Sequence, residues 1–390
     1  MTSVRSSLYP RLAGFYFFYY ATLGAFVPYW SVYLRAHGFS ATAIGDLMAV
    51  VLGTRILAPN VWGIIADRLG RRIGIIRIAG LLAPLAFAGV FLGDHWWWLA
   101  LVLSLYSFFW NAALPQFEAT TLAHLGGRTH EYGTIRLWGS VGFILAVAGL
   151  GRLLDQGAVE RLPVIVLVLL AGIWLASLTV PEAPGLPDDR RAGRLWHALR
   201  RPEVLVLLVT GFLVQASHGP YYGFFTLYLQ RHGYSGTVAG ALWALGVVAE
   251  IGVFMVIPRL LPWIGPRRLM LTALALTVVR WLMIAQFVDK MGFLIFAQTL
   301  HMASFGVYHA VAIHYVYRFF PGRLQGRGQA LYSSLTFGAG VAAGTSAAGY
   351  LWDHVAPASA YLGAAGAAAL ALVIAASALP ESPPEAASKE

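Results

Sequence analysis

What most constrains this chain is the recurrence of long stretches without a single charge. Segments 12–34, 95–117, 162–181, 204–230, 291–317, 328–352 and 354–380 contain no Asp, Glu, Lys or Arg. Each reaches the length of about 20 residues that a helix needs to cross a bilayer. Five further apolar stretches carry one or two charges: Arg55 breaks the second span, Arg136 opens the fifth, and Glu250 and Arg280 fall inside the eighth and ninth. Twelve spans follow, over 12–34, 43–66, 74–93, 96–121, 134–153, 162–181, 204–229, 236–260, 269–288, 291–317, 328–351 and 357–379. By length alone, 390 residues would make two or three soluble domains. Only 11% are charged, however, against about 25% in soluble domains, too few to cover a water-facing surface. Helices are expected, because an unbroken apolar run satisfies its backbone internally. A membrane barrel would alternate over about ten residues, and this sequence does not.

Cysteine is absent, which excludes a disulfide framework and thiolate metal ligation. His309 and His314, five residues apart, do not share a helix face as metal ligands would. They read as satisfied structural histidines lying off the His301 stripe or near the end of its span, and no metal site is expected. The G-x-x-x-x-G-K-[ST] loop is also missing, so ATP is not the expected energy source. The net charge of +10 could suggest a nucleic-acid surface. Its distribution points to membrane orientation instead. With the N-terminus inside, inner segments hold nineteen Lys and Arg, outer loops hold five, and Arg55, Arg136 and Arg280 lie within spans. Both termini are therefore expected in the cytoplasm, no nucleic-acid partner is expected, and span 12–34 is read as a retained helix rather than a leader.

The longest polar stretch, with Pro181, Pro184, Pro187 and five arginines, divides the chain. The expected organisation is a six-helix bundle over 1–181, a cytoplasmic linker over 182–202, a second bundle over 203–380 and a tail over 381–390. An internal repeat supports the division. Gly70-Arg71-Arg72 follows the second span, and Gly265-Pro266-Arg267-Arg268 follows the eighth, at nearly the spacing that separates the first span from the seventh. Parallel six-helix halves with a solute site near the midplane characterise one large class of carriers.

Gly63-Ile-Ile-Ala-Asp67-Arg68-Leu-Gly70-Arg71-Arg72 resembles the loop 2–3 motif of the major facilitator superfamily. Gly63 permits close helix contact, Asp67 can take a dipole or arginine partner, and the arginines fix the helix end. A closer resemblance covers nearly the whole chain. Gly24-Ala-Phe-Val-Pro28-Tyr29-Trp30-Ser31-Val32-Tyr33, Tyr132-Gly-Thr-Ile-Arg136-Leu-Trp138, His218-Gly-Pro-Tyr221-Tyr222, Leu242-Trp243 through Glu250, Val279-Arg280-Trp281 and Leu300-His301 are similar to the phenylpropionate permease group, relatives of the lactose permease branch. The resemblance implies an all-α membrane protein with the major facilitator fold, working as a proton-coupled importer of a small organic solute.

Ionisable residues deep in a span are costly and point to a cavity or a partner. Glu118 and Arg136 lie on neighbouring spans joined by a short loop and can pair. The blander alternative is a helix-end salt bridge. The lactose branch has an acid and an arginine at matching places, where they hold substrate. Pro115 can loosen the helix beside Glu118. Glu250, Arg280 and His301, with His218 nearby in sequence order, make a candidate proton relay, or a static buried pair that fixes helix register. Here the pattern departs from the lactose branch, with Ser304 replacing an acid and Gln298 a lysine, so Glu250 is taken as the substitute proton site. Arg55 reads equally as an anion anchor and as a snorkelling side chain. Trp96-Trp97-Trp98 reads as an interfacial belt.

Tyr20, Phe26, Tyr29, Trp30, Trp138, Phe143, Tyr221, Tyr222 and Trp243 lie on stretches that resemble cavity-lining ones. An aromatic cavity with three arginines against two glutamates suits an aromatic carboxylate such as 3-phenylpropionate. Sugars also stack on aromatics, although the galactose-stacking tryptophan of the lactose branch is Phe143 here. A sugar or nucleoside symporter and an efflux carrier stay open as alternatives. The expectation is a monomeric carrier in the bacterial inner membrane, with no enzyme activity and no cofactor beyond the coupling proton.

Overall fold

A computed structural model describes residues 2–126, 128–183 and 198–381. Most of the expected linker and of the tail lies outside the described residues. Twelve long helical segments run through the described residues. They are α1 Thr2–Ala36, α2 Ala41–Ala66, α3 Arg72–Phe91, α4 Trp96–Leu125, α5 Tyr132–Asp155, α6 Val159–Thr179, α7 Pro202–Arg231, α8 Gly236–Ile264, α9 Pro266–Gln286, α10 Met291–Phe319, α11 over 325–354 and α12 Pro357–Ala378. Ten are long and apolar enough to cross a membrane. The remaining two, α1 and α11, are diluted by tyrosine and by Gly, Ser and Thr respectively. Leu85, Val168, Met255 and Val373 are exposed on these helices. Such apolar surface would drive aggregation in water and is matched by lipid.

The chain divides into two compact units, one of Met1–Asp188 with Leu229–Ala244 and the other of Asp189–Tyr228 with Leu245–Glu390. In the first unit α1 packs on α5 and α6, and α3 packs on α4 and α6. In the second, α7 packs on α11 and α12, and α9 packs on α10 and α12. The pairing scheme is the same, shifted by six helices. It extends to single residues. Gly70 and Gly265, the turn residues of the repeated basic motif, both take positive φ (64° and 88°), where a Cβ is disfavoured. Arg77 donates to the carbonyls of Leu178 (3.3 Å) and Val180 (3.1 Å) at the end of α6. Arg267 donates to that of Ala376 (2.7 Å) near the end of α12. In each unit a cation thus satisfies the unpaired carbonyls at a helix C-terminus.

Four of these helices depart from regular geometry within their length, and in two of them the sequence supplies the reason. A 3₁₀ turn at Thr54–Ile56 breaks α2. Pro59 follows and has no N–H for the carbonyl of Arg55. In α7 the helix breaks at His218, just before Gly219-Pro220. A π-helical turn at Met302–Val307 widens α10, and another at Ser334–Gly340 widens α11. Turns of this kind recur at functional sites.

Candidate functional site

In the first unit Arg136 gathers partners from two neighbouring helices. Its guanidinium donates to the Tyr20 hydroxyl of α1 and lies 3.8 Å from the centre of that ring. Tyr16, one turn earlier, presents its ring at 5.7 Å. Glu118 on α4 lies 4.0 Å from Arg136 Nε and accepts from the Tyr132 hydroxyl at 3.2 Å. Both charged side chains are half-buried, so the pair contributes little to stability. Each keeps unused hydrogen-bonding capacity, which suits ligand binding better than scaffolding. Gly139 makes this geometry possible, because a Cβ there would lie 2.6 Å from the Tyr20 ring and 3.0 Å from Arg136 Nη1. Gly139→Ala is therefore expected to displace Tyr20 from Arg136. Solute uptake by reconstituted protein should show a KM raised about tenfold to a hundredfold, with a stability loss of about 1–3 kcal/mol.

Arg55 sits in the 3₁₀ break of α2. Its Nε donates to Asn111 Oδ1 at 3.4 Å, and Asn111 Nδ2 donates to the Thr54 hydroxyl at 2.9 Å. Asn111 lies four residues before Pro115, so its own carbonyl loses the usual helical donor. An aromatic wall runs past this point. Tyr19 stacks on Trp110 (5.3 Å), Trp110 on Tyr106 (5.6 Å), and Phe26 lies against both Tyr106 (5.4 Å) and Trp30 (5.0 Å). The Trp30 and Trp110 indole nitrogens and the Tyr106 hydroxyl are sealed without a hydrogen-bond partner. Buried donors are rarely left so, and they mark this wall as a place where polar contacts await a partner.

Phe143 faces Trp243 at 6.4 Å within the same unit, and Tyr29 donates to the Val147 carbonyl at 2.5 Å. Trp138 is separated from this group. It is 44% exposed and donates to Tyr9, which lies eleven residues before Tyr20 on α1. The Arg136 and Trp138 side chains therefore diverge, as positions two apart on a helix must.

In the second unit Arg280 on α9 is fully buried. It donates to His301 Nδ1 (2.9 Å), Ser304 Oγ (2.8 Å) and Gln298 Oε1 (3.1 Å), all on α10. The rings of Tyr221 and Trp281 lie 4.4 and 4.5 Å from its guanidinium carbon. Its hydrogen-bond acceptors on α10 are neutral, yet a buried cation needs a counter-charge. That charge stands one residue further along the network: Glu250 Oε2 on α8 is 3.5 Å from His301 Nε2. The tautomer follows from the donors. A guanidinium cannot accept, so His301 Nδ1 must present its lone pair to Arg280, and the ring proton sits on Nε2 facing Glu250. Protonating Nδ1 would set two donors against each other.

His218 is buried at the α7 break. Its Nδ1 donates to the Val214 carbonyl (2.9 Å), and its ring meets Trp281 edge-on (5.0 Å) and Tyr222 in a stack (6.0 Å). Its Nε2 is sealed and unpartnered. Tyr221 donates to Gln298 at 3.3 Å. The second unit thus brings together His218, Tyr221, Tyr222, Glu250, Arg280 and His301. The first brings together Glu118 and Arg136 and sets Arg55 on a separate node. In the loop motif Gly63 faces the Gln116 side chain, Gly70 caps its helix, and Arg68 and Arg71 are exposed at the turn into α3, which Arg72 opens. The Asp67 side chain lies outside the described residues.

Sequence reasoning missed several contributors. Gln298 and Ser304 appeared only as departures from a related pattern, but both bind Arg280. Tyr16, Tyr132, Asn111 and Thr54 were not singled out. A polar side chain four residues before an intramembrane proline was an available signal for Asn111. His309 and His314 were expected off the His301 stripe or near the end of the span, as satisfied histidines. His309 instead stacks in line with His301 through Phe305, and its Nδ1 is buried without a partner.

The family model described as the MFS_1 like family matches residues 9–363. The probable 3-phenylpropionic acid transporter of Escherichia coli strain K12 is 31% identical over 353 residues, covering 87% of this chain and 90% of that protein. The maltose permease of Geobacillus stearothermophilus is 28% identical, covering 90% and 89%. Among solved structures, the nucleoside transporter NupG superposes with a TM-score of 0.83 at 15% identity, covering 95% of this chain and 98% of that one. A D-xylose-proton symporter superposes with a TM-score of 0.74 at 14% identity, covering 95% and 97%.

Proposed function

This chain belongs to the MFS_1-like family of the major facilitator superfamily, and from that premise we propose that it is a proton-coupled importer of a small aromatic monocarboxylate. It is a multi-pass membrane transporter rather than an enzyme. The observation that carries the coupling is the Arg280–His301–Glu250 network. An imidazole fixed in one neutral tautomer directs its proton at a carboxylate whose protonation state is then free to change. Glu250 takes the proton, and alternating access of the two halves carries it with the solute.

Charge balance supports the solute class. The charged side chains of the candidate site are Arg55, Arg136 and Arg280 against Glu118 and Glu250, a single excess cation. One carboxylate balances it. The aromatic wall beside Arg55 supplies ring-stacking surface, and Arg136, preset by Tyr20, supplies a two-pronged anion contact. The probable 3-phenylpropionic acid transporter is the relative whose name fits this chemistry. The second reading is a sugar or nucleoside symporter. The Glu118–Arg136 pair favours it, since an acceptor and a donor side by side suit hydroxyl groups.

The two readings differ in driving force. One proton with one monoanion moves no net charge, so uptake follows the pH gradient alone, about tenfold per pH unit. One proton with a neutral solute also moves a charge worth about 2.3 kcal/mol per 100 mV. Uptake of labelled 3-phenylpropionate into proteoliposomes, above the protein-free background, is expected to respond to an imposed pH step. It should ignore a valinomycin-set potential. Xylose or uridine uptake accelerated by the potential, without 3-phenylpropionate uptake, would establish the second reading. Insensitivity of all uptake to a protonophore would remove proton coupling altogether. The N- and C-termini are assigned to the cytoplasm and the protein to the bacterial inner membrane on the arginine asymmetry.

A further inference from the structure

His309 takes no part in the network described above, yet its Nδ1 is buried without a hydrogen-bond partner. His301, Phe305 and His309 form a continuous ring stack, with centroids 5.4 and 5.8 Å apart and planes within 16° and 12° of parallel. Eight residues of regular α-helix would carry His309 about 80° past His301. The π turn at Met302–Val307 takes up that excess and aligns the two histidines. Phe337 of α11 closes the far side, edge-on to His309 at 5.6 Å. The ring is half-buried, and of its two nitrogens Nδ1 is the one sealed without a partner.

Glu250 lies against α10 between the two histidines. A Cβ on Gly306 would sit 3.6 Å from Glu250 Cγ and 2.5 Å from a Val253 methyl, so the glycine lets α8 approach at this level. Position 306 is five residues past His301 and three before His309. From this geometry we infer that His309 is the exit station for the coupling proton, receiving it from Glu250 at Nδ1 and passing the Nε2 proton to water on the Arg318 side of α10.

The step balances without another reactant. The Glu250 O–H bond breaks as the His309 Nδ1–H bond forms, giving carboxylate and imidazolium. The imidazolium then loses its Nε2 proton to water, leaving the neutral Nδ1–H tautomer, and tautomer exchange through water restores the Nδ1 lone pair before the next cycle. The division of labour is physically reasonable. His301 cannot accept while Arg280 occupies its Nδ1, whereas His309 has a lone pair with nothing bound to it. A rotamer change of Glu250, which stands between the two histidines, would move the proton from the sealed end of the stack toward the half-exposed end.

The inference rests on Glu250 being the proton carrier, and the test separates the two. In the purified full-length protein, difference infrared spectra after an alkaline jump report the loss of the Glu250 carboxyl band, assigned by its absence in E250Q. In H309F, which keeps the ring stack, that loss is expected to slow by about tenfold to a hundredfold. Its pH midpoint should move little, and added imidazole should restore the rate in H309A. H309Q serves the same purpose if H309F does not fold. An unchanged rate in the folded variants would overturn the His309 role while leaving Glu250 as carrier. A wild-type spectrum with no band missing from E250Q would overturn both.

Discussion

Glu250→Gln is expected to abolish proton-driven accumulation while leaving exchange intact. Glutamine keeps the volume and the hydrogen-bonding reach toward His301 Nε2, which Glu250 meets at 3.5 Å. It cannot release a proton. A carrier frozen in the equivalent of its protonated form can load solute, reorient, unload and reload, so counterflow should survive within about threefold. It cannot return empty and deprotonated, so net uphill uptake should fall to the protein-free background. The loss is complete rather than partial because each pH unit of driving force, worth about 1.4 kcal/mol, is transmitted only through the titrating group. Proteoliposomes loaded with unlabelled 3-phenylpropionate would give the exchange rate, and an external pH electrode would give solute-induced proton movement. A mutant that still alkalinises the medium on solute addition would show that another group carries the proton.

The helices were legible because a membrane imposes one strong rule. A run of about 20 residues without charge has few alternatives to a spanning helix. The breaks of the second and seventh helices were not read, although Pro59 and Gly219-Pro220 stand beside them. The repeat of the basic turn was legible too, through Gly70 and Gly265, since a turn at positive φ favours glycine; which helices pack on which was not. The π turns were not. They insert one residue into a helix without changing which residues are apolar, so the pattern around Met302–Val307 reads as ordinary α-helix. That is why the stack of His309 with His301 could not be foreseen. The same limit separated Trp138 from Arg136. Knowing that a helix spans does not say how it is rotated. Here rotation is set by Gly139 and Gly142, each of which would place a Cβ against α1.

The contacts of the charged residues were only partly legible for a related reason. Pairing rules find acids near arginines, and so they found Glu118 with Arg136. They do not find an arginine whose acceptors are an amide, a hydroxyl and an imidazole. Nothing in residue type marks Gln298 or Ser304 as partners of Arg280. Their spacing with His301, three residues apart each way, becomes meaningful only once Arg280 is known to face α10.

That arrangement predicts that Arg280→Lys is nearly as damaging as removing the charge. The guanidinium spans three acceptors on α10, over 2.8–3.1 Å, with the Tyr221 and Trp281 rings 4.4 and 4.5 Å away. An ammonium is a single point on a flexible stem and cannot reproduce the fork. At least one of the Gln298 and Ser304 contacts should be lost, at about 1.5–3 kcal/mol for a hydrogen bond to a charged group. More consequential is His301. Without a fixed donor at Nδ1, the ring can flip its tautomer or take up a proton, and it then competes with Glu250 for the charge that coupling requires. Solute-induced proton movement is expected to fall by about a hundredfold or more, consistent with a loss near 3 kcal/mol. Exchange should fall less. The infrared signature should change in kind: an imidazolium band should appear at the pH where wild type shows only carboxyl loss. A lysine variant with more than half the wild-type uptake and no imidazolium band would mean that Arg280 fixes helix packing and has no hold on the His301 tautomer.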